Sequence, residues 1–152
     1  MQRFMIFMAA GAIAGAGVLG WQALRPAPEQ AGHSMATPDT ASIPEGGEIV
    51  AVTPPAELSV EARIGKRGFD AKCAECHGKN GAGKNGEAPP LIHKIYEPSH
   101  HGDAAFLRAA ENGVRAHHWD FGNMPPVEGV TRADVTYIAR YIREVQRANG
   151  ID

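Results

Sequence analysis

The run Cys73-Ala74-Glu75-Cys76-His77 stands near the middle of the 152-residue chain and holds its only two cysteines. Two thiols three residues apart lie within about one helical turn, and an imidazole follows directly. A redox-active CxxC of the thioredoxin kind needs a βαβ setting, and no strand-rich segment surrounds this one. Structural zinc normally takes four ligands, often from two such pairs, and there is no second pair. A third chemistry uses all three side chains: CxxCH is the attachment signature of a c-type haem. The thiols can reach two vinyl groups on one porphyrin edge and form thioethers, while His77 becomes the proximal ligand of the iron. A coincidental five-residue match is the competing reading, and the flanking sequence bears on it.

Downstream lies Gly122-Asn123-Met124-Pro125-Pro126. A methionine is usually core filler, but this one sits in a Gly/Pro-rich loop that can aim a side chain at a fixed point. The other methionines are Met1, Met5, Met8 and Met35, so Met124 is the only one after residue 57. A soft thioether opposite an imidazole suits haem iron and raises its reduction potential. Met124 is therefore the expected distal ligand.

The segments around these residues read as helices. Ser59 can cap a first helix running to about Ala71, with Val60, Ile64 and Phe69 expected on its inner side. Gly65 and Gly68 would each cost ~1 kcal/mol there against Ala, which makes sense if another helix crosses close by. A second helix covers about Asp103–Glu111, with Phe106 and Leu107 inward and Asn112-Gly113 ending it. The last is the clearest. Thr131 and Asp134 make a capping-box-like start, and Val135, Ile138, Ile142 and Val145 recur at helical spacing beside Tyr137 and Tyr141. Arg140, Arg143 and Arg147 lie toward its C-terminus, where the helix dipole favours cations. No run shows strand alternation, so the expected fold is all-α, and a domain this small needs the haem as part of its core.

With these residues in place, 58–152 resembles a class I c-type cytochrome domain of the single-haem, membrane-anchored bacterial type. The resemblance rests on Gly65, Phe69, Cys73, Cys76, His77, Gly78, the Gly81-Ala82-Gly83 loop, Pro89-Pro90-Leu91, and Met124-Pro125 before a final amphipathic helix. It implies a cytochrome c-like fold around one covalent haem c. It also implies that a proline carbonyl two residues before a leucine accepts a hydrogen bond from His77. Pro89 holds that position, with Pro90 the alternate. The His117-His118-Trp119 sequence just before the methionine loop departs from the pattern.

Composition divides the rest of the chain. From Phe4 to Leu24 no residue is charged, a run that as a helix would measure about 31 Å, enough to cross a ~30 Å hydrocarbon core. Arg3 precedes it and Trp21 falls near its far end, so residues 1–24 read as a transmembrane anchor that exports the remainder of the chain. A cleaved signal peptide is the alternative, with Val18/Gly20 a poor cleavage site and the earlier alanine pairs too close to the start. Gly11 and Gly15 make a GxxxG pair that fits the small-residue bias of such segments. Residues 25–57 hold Arg25 against Glu29, Asp39, Glu45, Glu48 and Glu57, six of the chain's 11 prolines and no aromatic residue. They read as an acidic, extended, mobile linker. The expected location is a bacterial inner membrane with the haem domain in the periplasm, or a soluble periplasmic protein if the segment is cleaved.

Net charge of −2 excludes a nucleic-acid binder that depends on bulk positive charge. All five lysines (Lys66, Lys72, Lys79, Lys84, Lys94) cluster around the haem-attachment segment, interleaved with Glu75 and Glu87. A solvated surface explains them more economically than a partner-steering rim. His93, His100, His101, His117 and His118 are expected to pack around the methionine loop or titrate near neutral pH. Their alternatives are a second metal site, against which adjacent pairs argue, and replacement of Met124 by His117 or His118 on the iron. With both axial positions filled, the expected activity is one-electron transfer between redox proteins at the membrane rather than catalysis. The alternatives are a haem subunit of a larger dehydrogenase or oxidase, and a haem enzyme whose Met124 is displaced.

Overall fold

The computed structural model describes residues 36–152, which fall within one unit, His33–Asp152. The longest helix among the described residues is α4, Arg132–Ala148. Thr131 Oγ1 accepts from Asp134 N at 3.2 Å while Thr131 N donates to Asp134 Oδ2 at 2.8 Å, a complete capping box. Val135, Ile138, Ala139, Ile142 and Val145 bury one face at helical spacing, and Tyr141 joins them at 1% exposure.

Against that face lies α1, Val60–Lys72, whose start is capped by Ser59 Oγ accepting from Ala62 N at 3.1 Å. The crossing is closest at Gly65. A Cβ there would overlap the Tyr137 carbonyl outright and stand 2.9 Å from Ile138 N. This contact sets which face of α1 turns inward. Ala62, Gly65 and Phe69 are buried, at positions i, i+3 and i+7, whereas Val60 is 64% and Ile64 37% exposed. The inner side expected from Val60 and Ile64 is therefore corrected. Apolar character drew the sequence reading to the larger residues, but backbone approach demands the small ones. Phe69 meets Tyr141 with ring centroids 5.5 Å apart, and the Tyr141 hydroxyl donates to Asn80 Oδ1 at 2.9 Å.

Two shorter helices complete the set among the described residues: α2, Ala74–His77, which follows α1 across the Cys73 cap, and α3, Asp103–Asn112. Short 3₁₀ turns occupy Lys79–Gly81 and Lys94–Tyr96. The only strand-like pairings among the described residues are isolated bridges, so the fold is all-α there.

Arg143 does more than place a cation toward the helix C-terminus. It is 6% exposed, with Nε 2.8 Å from Asp103 Oδ1 and Nη1 donating to Tyr96 O at 2.7 Å and Gln146 Oε1 at 2.6 Å. A further bond reaches the His101 carbonyl, and the guanidinium lies 5.0 Å over the Phe106 ring. Gln146, fully buried, donates to Leu91 O and Tyr96 O. Together they fasten the irregular 91–103 segment to α4.

The linker reading also needs correction over its described part. Residues 40–53 are docked rather than extended into solvent. Val50 N donates to Ala82 O, Gly46 N to Asn85 O, and Asn85 N to Gly47 O, while Asn149 exchanges two side-chain bonds with Thr53. Val50, Val52 and Leu58 pack on the core. Backbone pairing and the two valines suffice to order a segment that lacks aromatic residues. The expected membrane segment, residues 4–24, lies outside the described residues. Among those described, no helix is long and apolar enough to cross a membrane.

Candidate functional site

The α1–α2 junction places the motif. Cys73 caps α1 by donating its N–H to Phe69 O at 2.8 Å, and α2 restarts at once, with His77 N bonded to Cys73 O at 2.9 Å. Cys73, Cys76 and His77 therefore stand at i, i+3 and i+4, within one turn and on one side of it. Both cysteines are free thiols, Cys73 partly buried and Cys76 exposed. Burial, aided by the neighbouring Cys76, pushes the Cys73 thiol up to about 11. Cys76 is also raised, first by desolvation and then by Glu87 and Glu75.

His77 Nδ1 lies 2.9 Å from the Pro89 carbonyl. A carbonyl can only accept, so Nδ1 carries the proton and Nε2 is left with its lone pair. Burial lowers the pKa of His77, against smaller opposing pulls from the Pro89 bond and Glu87, so the imidazole is held neutral. The loop that delivers Pro89 is stapled to the motif. Gly83 N donates to His77 O at 2.7 Å and Leu91 N to Gly81 O at 2.8 Å. Gly83 has φ +76°, and a Cβ on it would stand 2.5 Å from Pro90 N, so only glycine lets the two strands of loop approach.

Met124 belongs to a second closed loop. Val114 and Met124 exchange both backbone hydrogen bonds at 2.9 Å, and Ala116 N donates to Asn123 Oδ1 at 3.0 Å. The loop between them carries His117, His118, Trp119 and Phe121. Met124 itself is half-buried. Trp119 is 8% exposed, stacked on Phe121 at 5.5 Å and edge-on to His93 at 5.7 Å. Its Nε1 is buried without a completed hydrogen bond, although the Tyr96 hydroxyl is near enough to be influenced by it.

Residues 62–146 match the family model described as Cytochrome c. The chain belongs to the cytochrome c family. No curated protein and no solved structure gives a match. Membership brings covalently bound haem c and haem-based electron transfer, as the CxxCH reading and the all-α expectation anticipated.

The residues of this cytochrome fit that group. Two unpaired thiols share a turn with an imidazole whose Nε2 is left free by the Pro89 bond. The buried Trp119 N–H is a further donor whose hydrogen bond the protein leaves incomplete. The lysines around the motif are mostly tied down locally. Lys66 pairs with Asp70 at 2.5 Å, Lys84 with Glu87 at 3.3 Å and with the Glu75 carbonyl, and Lys72 donates to Glu128 O at 3.2 Å. Lys66 and Lys84 thus have carboxylate partners, while Lys72 is held by a backbone carbonyl.

The remaining histidines divide in two. His93 stands apart, its Nδ1 accepting from Ile95 N at 3.3 Å to cap the second 3₁₀ turn. His100, His101, His117 and His118, expected to pack around the methionine loop, form one cluster with adjacent ring centroids 4.4–6.0 Å apart. Sequence reasoning missed Arg143, Gln146 and Asn80 as anchors of the site's loops. The signal for the first two was polar residues on the apolar face of the last helix.

Proposed function

We propose that this cytochrome is a membrane-tethered one-electron carrier in which Cys73 and Cys76 hold the haem as thioethers and His77 Nε2 and Met124 Sδ are its axial ligands. The observation that carries the reading is the Pro89 carbonyl on His77 Nδ1, in the same turn as two free thiols. That bond orients the ring and makes the imidazole a stronger donor. The bound haem supplies reversible one-electron chemistry. The Val114–Met124 bridge closes the loop that carries the methionine, and Phe69 with Tyr141 packs behind the motif, which supports the reading. With the chain's own ligands on both sides, no position is left for substrate, which favours transfer through the exposed edge near Cys76 over catalysis.

Residues 4–24 would anchor the chain in a bacterial inner membrane and place the domain in the periplasm. Confinement at that surface raises its effective concentration for redox donors and acceptors. Two measurements test the reading. Met124→His should lower the reduction potential, because Met/His ligation raises it, whereas an unchanged potential would remove Met124 from the iron. On fractionation the full chain should sediment with membranes, and a chain whose residues 4–24 are replaced by a cleavable export signal should not. Recovery of both in the soluble fraction would sink the tether.

A further inference from the structure

Two histidines of the methionine loop, His117 and His118, meet two from the 97–101 turn, His100 and His101, and the electron-carrier reading uses none of them. Three of them, His100, His101 and His118, each offer a ring nitrogen within 4.8 Å of the others. Ligands around a tetrahedral ion with metal–nitrogen bonds of ~2.0–2.1 Å lie about 3.3 Å apart. The rings thus need to close by roughly 1.5 Å, a movement within reach of partly exposed side chains.

Their tautomers are partly set by the backbone. His101 Nδ1 bonds the Ile95 carbonyl at 2.6 Å, and His117 Nδ1 the Arg115 carbonyl at 2.9 Å. Each ring must donate from Nδ1, which leaves Nε2 as a lone-pair ligand, the arrangement metal-binding histidines commonly have. His100 and His101 are adjacent in sequence, which ordinarily points their rings apart. Here both backbone N–H groups bond to Glu97 O in one tight turn, and the rings come within 4.7 Å. The Arg143 guanidinium donates to the His101 carbonyl, and Asp103 at 2.8 Å offsets its charge.

We propose that His100, His101 and His118 form a binding site for one late first-row transition ion, zinc(II) or copper(II), with His117 or water as the fourth ligand. An all-imidazole set selects such ions over magnesium or calcium, which prefer oxygen ligands. The bound ion joins the 97–101 turn to the loop closed by Val114 and Met124. It thereby stiffens the segment that carries Met124.

Calorimetric titration of the haem-loaded, tag-free full chain in detergent with zinc chloride, repeated with copper(II), tests the site. One ion per chain is expected, with three or four nitrogen neighbours at about 2.0 Å by X-ray absorption. His118→Ala and, separately, His100→Ala should each weaken binding by at least about tenfold, the loss expected even for residues that only support a ligand. His100 is exposed, so that variant keeps the test sound if His118→Ala disturbs its loop. His93→Asn, which preserves the cap to Ile95, should leave affinity unchanged. Zinc should also raise the thermal midpoint of the parent and not of the His100→Ala,His118→Ala double variant. Absence of binding at millimolar zinc, affinity unaffected by the double substitution, or an oxygen-only coordination sphere would each overturn the proposal.

Discussion

Gly65 and Gly68 look equivalent in the sequence, and the structure separates them. A Cβ on Gly65 runs into the Tyr137 backbone, which cannot move without parting the two helices, whereas one on Gly68 meets only the Ile138 side chain at 3.1 Å. Gly65→Ala is therefore expected to lower stability by about 3 kcal/mol, the upper range of overpacking. For Gly68→Ala, crowding is set against ~1 kcal/mol of helix propensity, so the change should stay within about 1 kcal/mol of zero. Denaturant unfolding of the haem-bound variants measures both, and equal losses would remove the close crossing. At this scale the sequence announced the need for small residues but not the face they define. Val60 and Ile64 are apolar without being buried, because the contact that orients α1 is made by a glycine and leaves no hydrophobic trace.

Among the elements, α4 was the most legible, since its cap and its apolar spacing are both written locally. Thr131→Ala removes the side-chain half of the capping box and should cost about 1 kcal/mol by thermal unfolding. Asp134 supplies a pH signature. Its carboxyl is held below the ordinary aspartate value of 3.8, chiefly by the Thr131 hydroxyl and then by the Thr131 N–H. A lowered folded pKa means that the contribution is complete above the unfolded value and is lost as pH falls through the folded one. The deficit of Asp134→Asn against the parent should therefore be constant near neutral pH and shrink in acid below the carboxylate range. A deficit that grows on acidification would contradict the cap. The 91–103 and 114–124 segments were not legible in this way, because distant backbone bonds such as Val114 to Met124 shape them more than local propensity.

Across the molecule, Arg143 joins more parts than any sequence feature suggested. Arg143→Met is expected to destabilise by about 2–3 kcal/mol through lost charged hydrogen bonds to Tyr96 O and His101 O. Arg143→Lys should recover little, since a single ammonium cannot span Asp103, Tyr96 and Gln146 together. Chemical denaturation checks both, and full rescue by lysine would reduce the anchor to a simple charge. The docking of residues 40–53 and the meeting of His100 and His101 with His118 belong to the same scale. Each joins segments remote in sequence, and neither composition nor periodicity carries that information. The motif was legible because its chemistry is contained in five consecutive residues. The proposed function rests on a haem stitched to Cys73 and Cys76 and bound between His77 and Met124. The most direct measurement is an optical spectrum, visible to near-infrared, of the purified oxidised protein before and after extraction with acidified organic solvent. Colour that stays with the polypeptide, together with the weak near-infrared band of methionine-ligated ferric haem, is the predicted result; colour that leaves with the solvent, or a native spectrum without that band, would contradict it.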